Sequence, residues 1–107
     1  MAVPEIDVEE LEARKDAGAV VFDVREPDEY EDAHVPGAIP VPLATVPDRL
    51  SDFPTEGTAY IICAAGGRSR RAAEFLRSNG IDAVNVAGGT KAWLAAGKPG
   101  VRGTDVG

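Results

Sequence analysis

Apolar residues along the chain form short runs, rich in β-branched side chains, that alternate with segments of helical periodicity. The runs lie at residues 3–6, 19–24, 39–41, 59–62 and 83–86. The first is an edge strand, because Pro4 interrupts it. Strands that alternate with helices predict parallel pairing through right-handed crossovers, and therefore a three-layer α/β domain.

Capping signals place the helices in the intervals between these runs. Asp7 and Glu10 form a capping box at the start of a helix over residues 8–17. Proline is typical of a first helical position, and it predicts a single turn at residues 27–32 and a short helix at residues 46–53. Further helices follow the last two runs.

The run at residues 59–62 ends on the only cysteine of the chain, Cys63. From Arg68 the pattern is helical as far as Gly80, so Cys63 lies where a strand gives way to a helix. A helix start presents free N–H groups and a partial positive charge, which lower the pKa of a thiol and hold an anion beside it. Between the two lie the small residues Ala64, Ala65, Gly66 and Gly67. The pattern predicts a nucleophilic cysteine that attacks an anionic substrate.

Two simpler interpretations compete with this one. A lone cysteine is more often a small buried apolar residue, and a pair of glycines often forms only a turn. Neither accounts for Arg68, Arg70 and Arg71, which stand in a segment without acids in a chain of formal net charge −7. This local positive charge favours an anion cradle in which Arg68 is a charge-assisted donor.

Length and composition limit the functions that are open to the chain. Its 107 residues suffice for one domain, which we place at residues 1–99. Residues 100–107 contain three glycines and no periodicity, so we expect a flexible tail there. The acidic balance argues against binding to nucleic acid or to an anionic membrane. No basic leader or membrane-length apolar run appears, which favours a cytoplasmic location, and the sequence predicts no metal or cofactor site.

Asp23 and Arg25 stand at the carboxyl end of the run at residues 19–24, where open α/β sheets bind ligands. Two interpretations remain open for them, a local ion pair that orders the next loop and a support for the Cys63 pocket. His34, the sole histidine, precedes a tight turn, and we expect it to satisfy backbone groups and not to act as a base.

The pair Gly88 and Gly89 also has two interpretations. It could form a second wall of the Cys63 pocket, or a tight turn into the last helix with Trp93 as a core anchor. The second is the commoner arrangement.

Three ordered motifs span most of the chain. They are DVREPDEY with AHVPGAIP in residues 23–40, CAAGGRS in residues 63–69, and VAGGTKAW with GKP in residues 86–99. These motifs resemble the first signature, the active-site loop and the closing signature of the rhodanese family of sulfurtransferases. The resemblance implies a single rhodanese-like domain whose central, mainly parallel five-stranded sheet has the order 1-5-4-2-3, with helices on both faces.

The same resemblance implies an activity, the transfer of sulfane sulfur. The Cys63 thiolate would attack the outer sulfur of a small anionic donor such as thiosulfate, and the resulting persulfide would pass its sulfur to cyanide, a thiol or a protein acceptor. Arg68 would bind the oxygens of the donor, with Asp23 and Arg25 in support. The substrate would also meet the backbone of Ala64, Ala65, Gly66, Gly67 and Ser69.

Two other classes of protein share this pattern. A phosphatase or arsenate reductase would need a loop one residue longer than the four residues between Cys63 and Arg68. A non-catalytic rhodanese-like module would bind partner proteins or sense oxidants through an exposed cysteine. The presence of Cys63 together with Gly66, Gly67 and Arg68 favours the enzyme.

Overall fold

The computed structural model describes residues 2–107 and contains one five-stranded sheet. The strands are β1 (Glu5–Ile6), β2 (Val20–Asp23), β3 (Ile39–Pro40), β4 (Thr58–Ile62) and β5 (Asp82–Val86). Their spatial order is β1-β5-β4-β2-β3, and all neighbouring strands are parallel. This architecture confirms the predicted α/β class and the strand order that the family resemblance implied.

Four α-helices and one 3₁₀ segment cover the two faces of the sheet. They are α1 (Val8–Asp16), α2 (Pro27–Asp32), α3 (Gly67–Ser78) and α4 (Gly89–Ala95), with the 3₁₀ segment at Leu43–Asp52. Within residues 2–107, none of these helices has the length and apolar character that a bilayer crossing requires.

The 3₁₀ segment begins earlier than the short helix predicted at residues 46–53. The carbonyl oxygen of Pro42 accepts hydrogen bonds from the Thr45 amide at 2.8 Å and the Thr45 hydroxyl at 2.7 Å, which starts the first turn there. Pro47 therefore lies inside the segment, and the backbone leaves helical geometry at Arg49, where φ is −124°. The sequence interpretation of Pro47 as the helix start is therefore wrong.

Strand β4 is buried on both faces because it lies at the centre of the sheet. Ala59 and Ile61 pack into the core beneath α3 and the 3₁₀ segment. Tyr60 and Ile62 pack into the core beneath α1, α2 and α4. Cys63, the next residue, continues the alternation and faces the α3 side. The sulfur is thus directed toward the start of the helix that follows it.

His34 has the backbone role that the sequence indicated. It is fully buried, and its ring stacks on that of Tyr30 with 3.6 Å between centroids. Nδ1 lies 2.7 Å from the carbonyl oxygen of Tyr30, and Nε2 lies 2.8 Å from that of Asp105. Both ring nitrogens therefore meet backbone acceptors.

In place of the expected loose tail, the last residues pack against the segment that follows α2. Val101 and His34 form an antiparallel bridge, with their two N–H···O bonds at 2.8 and 2.9 Å. The amide of Gly103 donates to the carbonyl oxygen of Glu31 at 2.7 Å. A segment with three glycines is ordered here because the buried histidine and its turn supply partners for the tail's own backbone groups.

Candidate active site

The loop between β4 and α3 folds back on the Cys63 sulfur. Gly66 has a φ of 111°, which favours glycine, and this sharp turn brings its amide nitrogen within 3.1 Å of Cys63 Sγ. The hydroxyl oxygen of Ser69, in the first turn of α3, lies 3.2 Å from the same sulfur. Helix start and loop together thus direct polar groups at the thiol.

Cys63 is 1% exposed, yet its surroundings favour the thiolate. Burial raises the pKa of the Cys63 thiol, whereas the Ser69 hydroxyl and the backbone amides of Ser69, Gly66 and Ala65 lower it. The hydrogen bonds outweigh the burial, so the pKa lies below the usual value of a thiol.

The carbonyl groups at the start of the loop point away from the sulfur. Those of Cys63 and Ala64 accept hydrogen bonds from the amides of Thr90 at 2.8 Å and Lys91 at 3.0 Å. Hydrogen bonds from the first turn of α4 therefore fix the loop on the side away from the sulfur. They keep the negative ends of these two carbonyl dipoles away from the sulfur.

Gly88 and Gly89 show the second of the two interpretations that the sequence offered, the tight turn. They form the tight turn into α4, with φ values of 80° and 59°, and Trp93 is buried at 2% exposure. A Cβ atom on Gly89 would clash with the carbonyl oxygen of Cys63 and lie 2.6 Å from that of Ala64. The turn thus packs closely against the Cys63 and Ala64 carbonyl groups of the loop, on the side that faces α4.

Arg68 does not extend freely into the site. Its guanidinium forms two parallel hydrogen bonds with the Glu29 carboxylate of α2, at 2.7 and 2.9 Å. This pairing lowers the pKa of Glu29 to about 2, although burial works in the opposite direction. The positive charge of Arg68 is still close enough to Cys63 for a Coulombic interaction.

Asp23 and Arg25 form a buried ion pair at the end of β2. The Asp23 carboxylate accepts from the backbone N–H, Nε and Nη2 of Arg25, at 2.8 to 3.1 Å. Arg25 Nη2 also donates to the carbonyl oxygen of Ala33 at 2.8 Å, which ties the segment after α2 to the sheet. Arg25 and Ala64 line the same cavity of about 220 Å³. The pair thus orders its own loop, and Arg25 borders the space beside the Cys63 loop.

The structure brings Cys63, Ala65, Gly66 and Ser69 together, and Ala64 lies beside the cavity with its carbonyl turned away. Gly67 is the first residue of α3 and is exposed. Arg70 and Arg71 are exposed as well, and Arg70 pairs with Glu5 at 3.8 Å. Of these three arginines, Arg68 is the one for which the structure shows a Coulombic interaction with Cys63.

Sequence reasoning missed two residues near the site. Asn85 of β5 accepts a hydrogen bond from Ser69 at 2.6 Å, and a polar residue within an apolar run was the available signal. Glu29, the partner of Arg68, had no such signal, because it is one acid among several in α2.

Comparisons with known proteins agree with this geometry. The profile of the rhodanese-like domain matches residues 7–96. The chain is 37% identical over 95 residues to YrkF of Bacillus subtilis, named a putative sulfur carrier protein, with 86% of this chain and 51% of YrkF covered. It is 34% identical over 86 residues to GlpE of Pseudomonas putida, named a thiosulfate sulfurtransferase, with 79% and 78% covered.

A solved structure of a rhodanese-like domain protein from Staphylococcus aureus is also similar. It superposes with a TM-score of 0.81 at 39% identity, and the match covers 85% of this chain and 91% of that one. The chain spans about half the length of YrkF.

Proposed function

Because the chain belongs to the rhodanese-like domain family, we propose that it is a sulfurtransferase that moves sulfane sulfur from thiosulfate to cyanide or a thiol through Cys63. The Cys63 thiolate attacks the outer sulfur of thiosulfate, the S–S bond of the donor breaks, and sulfite leaves with the electron pair. The acceptor then attacks the outer sulfur of the persulfide, and Cys63 is released as a thiolate.

The observation that carries this proposal is the set of donors around a single sulfur. The Gly66 amide and the Ser69 hydroxyl lie 3.1 and 3.2 Å from Cys63 Sγ, and the first two carbonyls of the loop are turned away. Both steps need negative charge on this sulfur, first on the nucleophile and then on the leaving group. One such donor is worth about 3 kcal/mol in a transition state.

The names of two relatives support sulfur transfer in general and thiosulfate in particular. GlpE is named a thiosulfate sulfurtransferase and YrkF a putative sulfur carrier protein. The cytoplasm, where thiols stay reduced, is the location that this chemistry favours.

Features of the loop weigh against the rival functions. The Gly66 amide points at the sulfur itself, which suits a single reacting sulfur atom better than a tetrahedral phosphate or arsenate. The interval between Cys63 and Arg68 is four residues, one fewer than the loop of a phosphatase or arsenate reductase needs. Oxidant-sensing cysteines often stand beside a second, resolving cysteine, and Cys63 is the only cysteine of the chain.

Intact mass after treatment with thiosulfate tests the proposal. The chain should gain the mass of one sulfur atom and lose it again when cyanide is added, because Cys63 is the only cysteine. The Cys63→Ala variant is the control and should gain nothing. No gain in the parent chain, or an equal gain in the variant, would contradict the proposal.

Arg68 and Glu29 should affect thiosulfate binding in opposite directions. A bidentate pair uses two of the five guanidinium N–H donors, so Arg68 keeps donors for the sulfonate-like oxygens of thiosulfate. Arg68→Ala is expected to raise KM for thiosulfate about tenfold, the equivalent of one charge-assisted hydrogen bond. Glu29→Gln keeps the helix cap but removes the competing negative charge, and should lower KM about threefold.

Steady-state thiocyanate formation at varied thiosulfate concentration measures both effects. Arg77→Ala is the matched control, because Arg77 lies on the same helix and pairs with Asp82 at 3.0 Å, away from the loop. An Arg68→Ala variant with the KM of the parent chain would remove the substrate-binding role of Arg68.

A further inference from the structure

Asn85 is a buried amide on β5 whose orientation is determined by its neighbours. It is 1% exposed, and its Nδ2 lies 2.7 Å from Glu5 Oε2 and 3.2 Å from the carbonyl oxygen of Gly66. Both neighbours accept hydrogen bonds, so they require the amino group on their side. Asn85 Oδ1 consequently faces Ser69.

Ser69 has one hydroxyl proton and two neighbours that compete for it. Its Oγ lies 2.6 Å from Asn85 Oδ1 and 3.2 Å from Cys63 Sγ. Oδ1 can only accept, so the shorter contact takes the proton of Ser69. A neutral Cys63 thiol fits this arrangement of hydrogen bonds, because it can donate its own proton to Ser69 Oγ. A thiolate has no proton to give and needs the one that Asn85 holds.

We propose that Asn85 is a positioning residue, whose carbonyl oxygen competes with Cys63 Sγ for the single hydroxyl proton of Ser69. While the sulfur is neutral, the proton stays on the Asn85 side. When Cys63 becomes a thiolate, as nucleophile or as leaving group, the hydroxyl turns to the sulfur and Asn85 Oδ1 loses its partner. Asn85 thereby limits how strongly the loop stabilises the thiolate.

This inference rests on the proposed function only in that it treats Cys63 as the nucleophile. The inference agrees with the effects on the pKa of the Cys63 thiol. Burial raises this pKa, and the hydrogen bond from the Ser69 hydroxyl lowers it more than any of the backbone amides does. The Asn85→Leu and Ser69→Ala variants leave the other charged groups around the site unchanged. These groups are the pairs Arg68 with Glu29, Arg70 with Glu5, and Arg25 with Asp23.

Replacement of Asn85 by leucine tests the competition, because leucine has a similar size and no acceptor. The ultraviolet absorbance of the thiolate is recorded against pH, with the Cys63→Ala spectrum subtracted, so the signal comes from the sole cysteine. We expect the midpoint of the thiolate titration to fall by about one pH unit. The free energy of a hydrogen bond to a charged group corresponds to a pKa shift of at least about one unit. Ser69→Ala should raise the midpoint.

The double variant separates competition from a general structural effect. In a Ser69→Ala background there is no proton to compete for, so Asn85→Leu should leave the midpoint where Ser69→Ala places it. A shift of the same size in both backgrounds would overturn the proposal.

A second variant keeps the test decisive if Asn85→Leu does not fold. Asn85→Ala removes the acceptor with a smaller side chain, so it should lower the midpoint in the same direction as the leucine variant. The fall should disappear in the Ser69→Ala background, and a fall of the same size in both backgrounds would overturn the proposal. Glu5→Gln, which keeps an acceptor for Asn85 Nδ2, is the control and should leave the midpoint unchanged. The titration does not depend on turnover. It therefore tests the role of Asn85 even if the protein does not transfer sulfur, and failure of the proposed function can be told apart from failure of this inference.

Discussion

Replacement of Cys63 by alanine is expected to reduce thiosulfate:cyanide turnover by at least about a thousandfold, the scale on which removal of a nucleophile acts. The physical reason is that no second thiol exists in the chain to carry the sulfur between donor and acceptor. The donors from Gly66 and Ser69 would remain, but with no sulfur to stabilise. Thiocyanate formation under saturating thiosulfate measures the loss.

The variant should remain folded, which makes the loss of turnover interpretable. Cys63 lies in the core beneath α3, and truncation of its side chain should cost about 1 kcal/mol of unfolding free energy. Thermal unfolding followed by circular dichroism checks this. Turnover above a tenth of the parent value in a folded variant would show that Cys63 does not carry the sulfur.

Gly89→Ala is expected to lower the free energy of unfolding by roughly 3 kcal/mol or more, and to disturb the Cys63 loop from behind. Two costs combine at this position. The φ of 59° is unfavourable for a residue with a Cβ atom, and that atom would clash with the carbonyl oxygens of Cys63 and Ala64. Relief of the clash requires the loop or the start of α4 to move, which would also break the Thr90 and Lys91 hydrogen bonds.

Gly97→Ala is the matched control for the backbone cost alone. Gly97 has a φ of 78°, and a Cβ atom there would have no neighbour within 4 Å. It should cost about 1 kcal/mol and leave turnover intact, whereas Gly89→Ala should lower the thermal midpoint by more than about 10 °C and reduce turnover. Equal losses for the two variants would show that contact with the loop is unimportant.

The sheet and its helices were predictable because their signals are local. A central parallel strand is buried on both faces, so residues 59–62 read as a continuous apolar run, and the structure places it between β2 and β5. Asp7 likewise marks the start of α1, where its side chain accepts from the Glu10 amide at 2.9 Å. The predicted capping box is only half present, because the Glu10 carboxylate pairs with Arg14 at 2.7 Å. The strand order required comparison with a known family, because periodicity contains no information on which strands are neighbours.

Two expectations failed where local signals were incomplete. Pro47 looked like a helix start, but the Thr45 contacts to Pro42 begin the 3₁₀ segment earlier. The glycine-rich end looked unstructured, yet Val101 pairs with His34 across the fold. In the second case a partner distant in sequence supplied the order.

The amino-acid sequence by itself determined the position of the thiol, since the strand, the small-residue loop and the helix start that surround Cys63 are consecutive in the chain and bring their own amides to the sulfur. Tertiary structure alone decided the partners of these groups. Arg68 forms hydrogen bonds with Glu29 of α2, and Ser69 with Asn85 of β5. The partners are 39 and 16 residues apart in the sequence. Such pairings depend on how the helices and strands pack around the sheet. The type of a residue does not indicate which distant residue will lie beside it after packing.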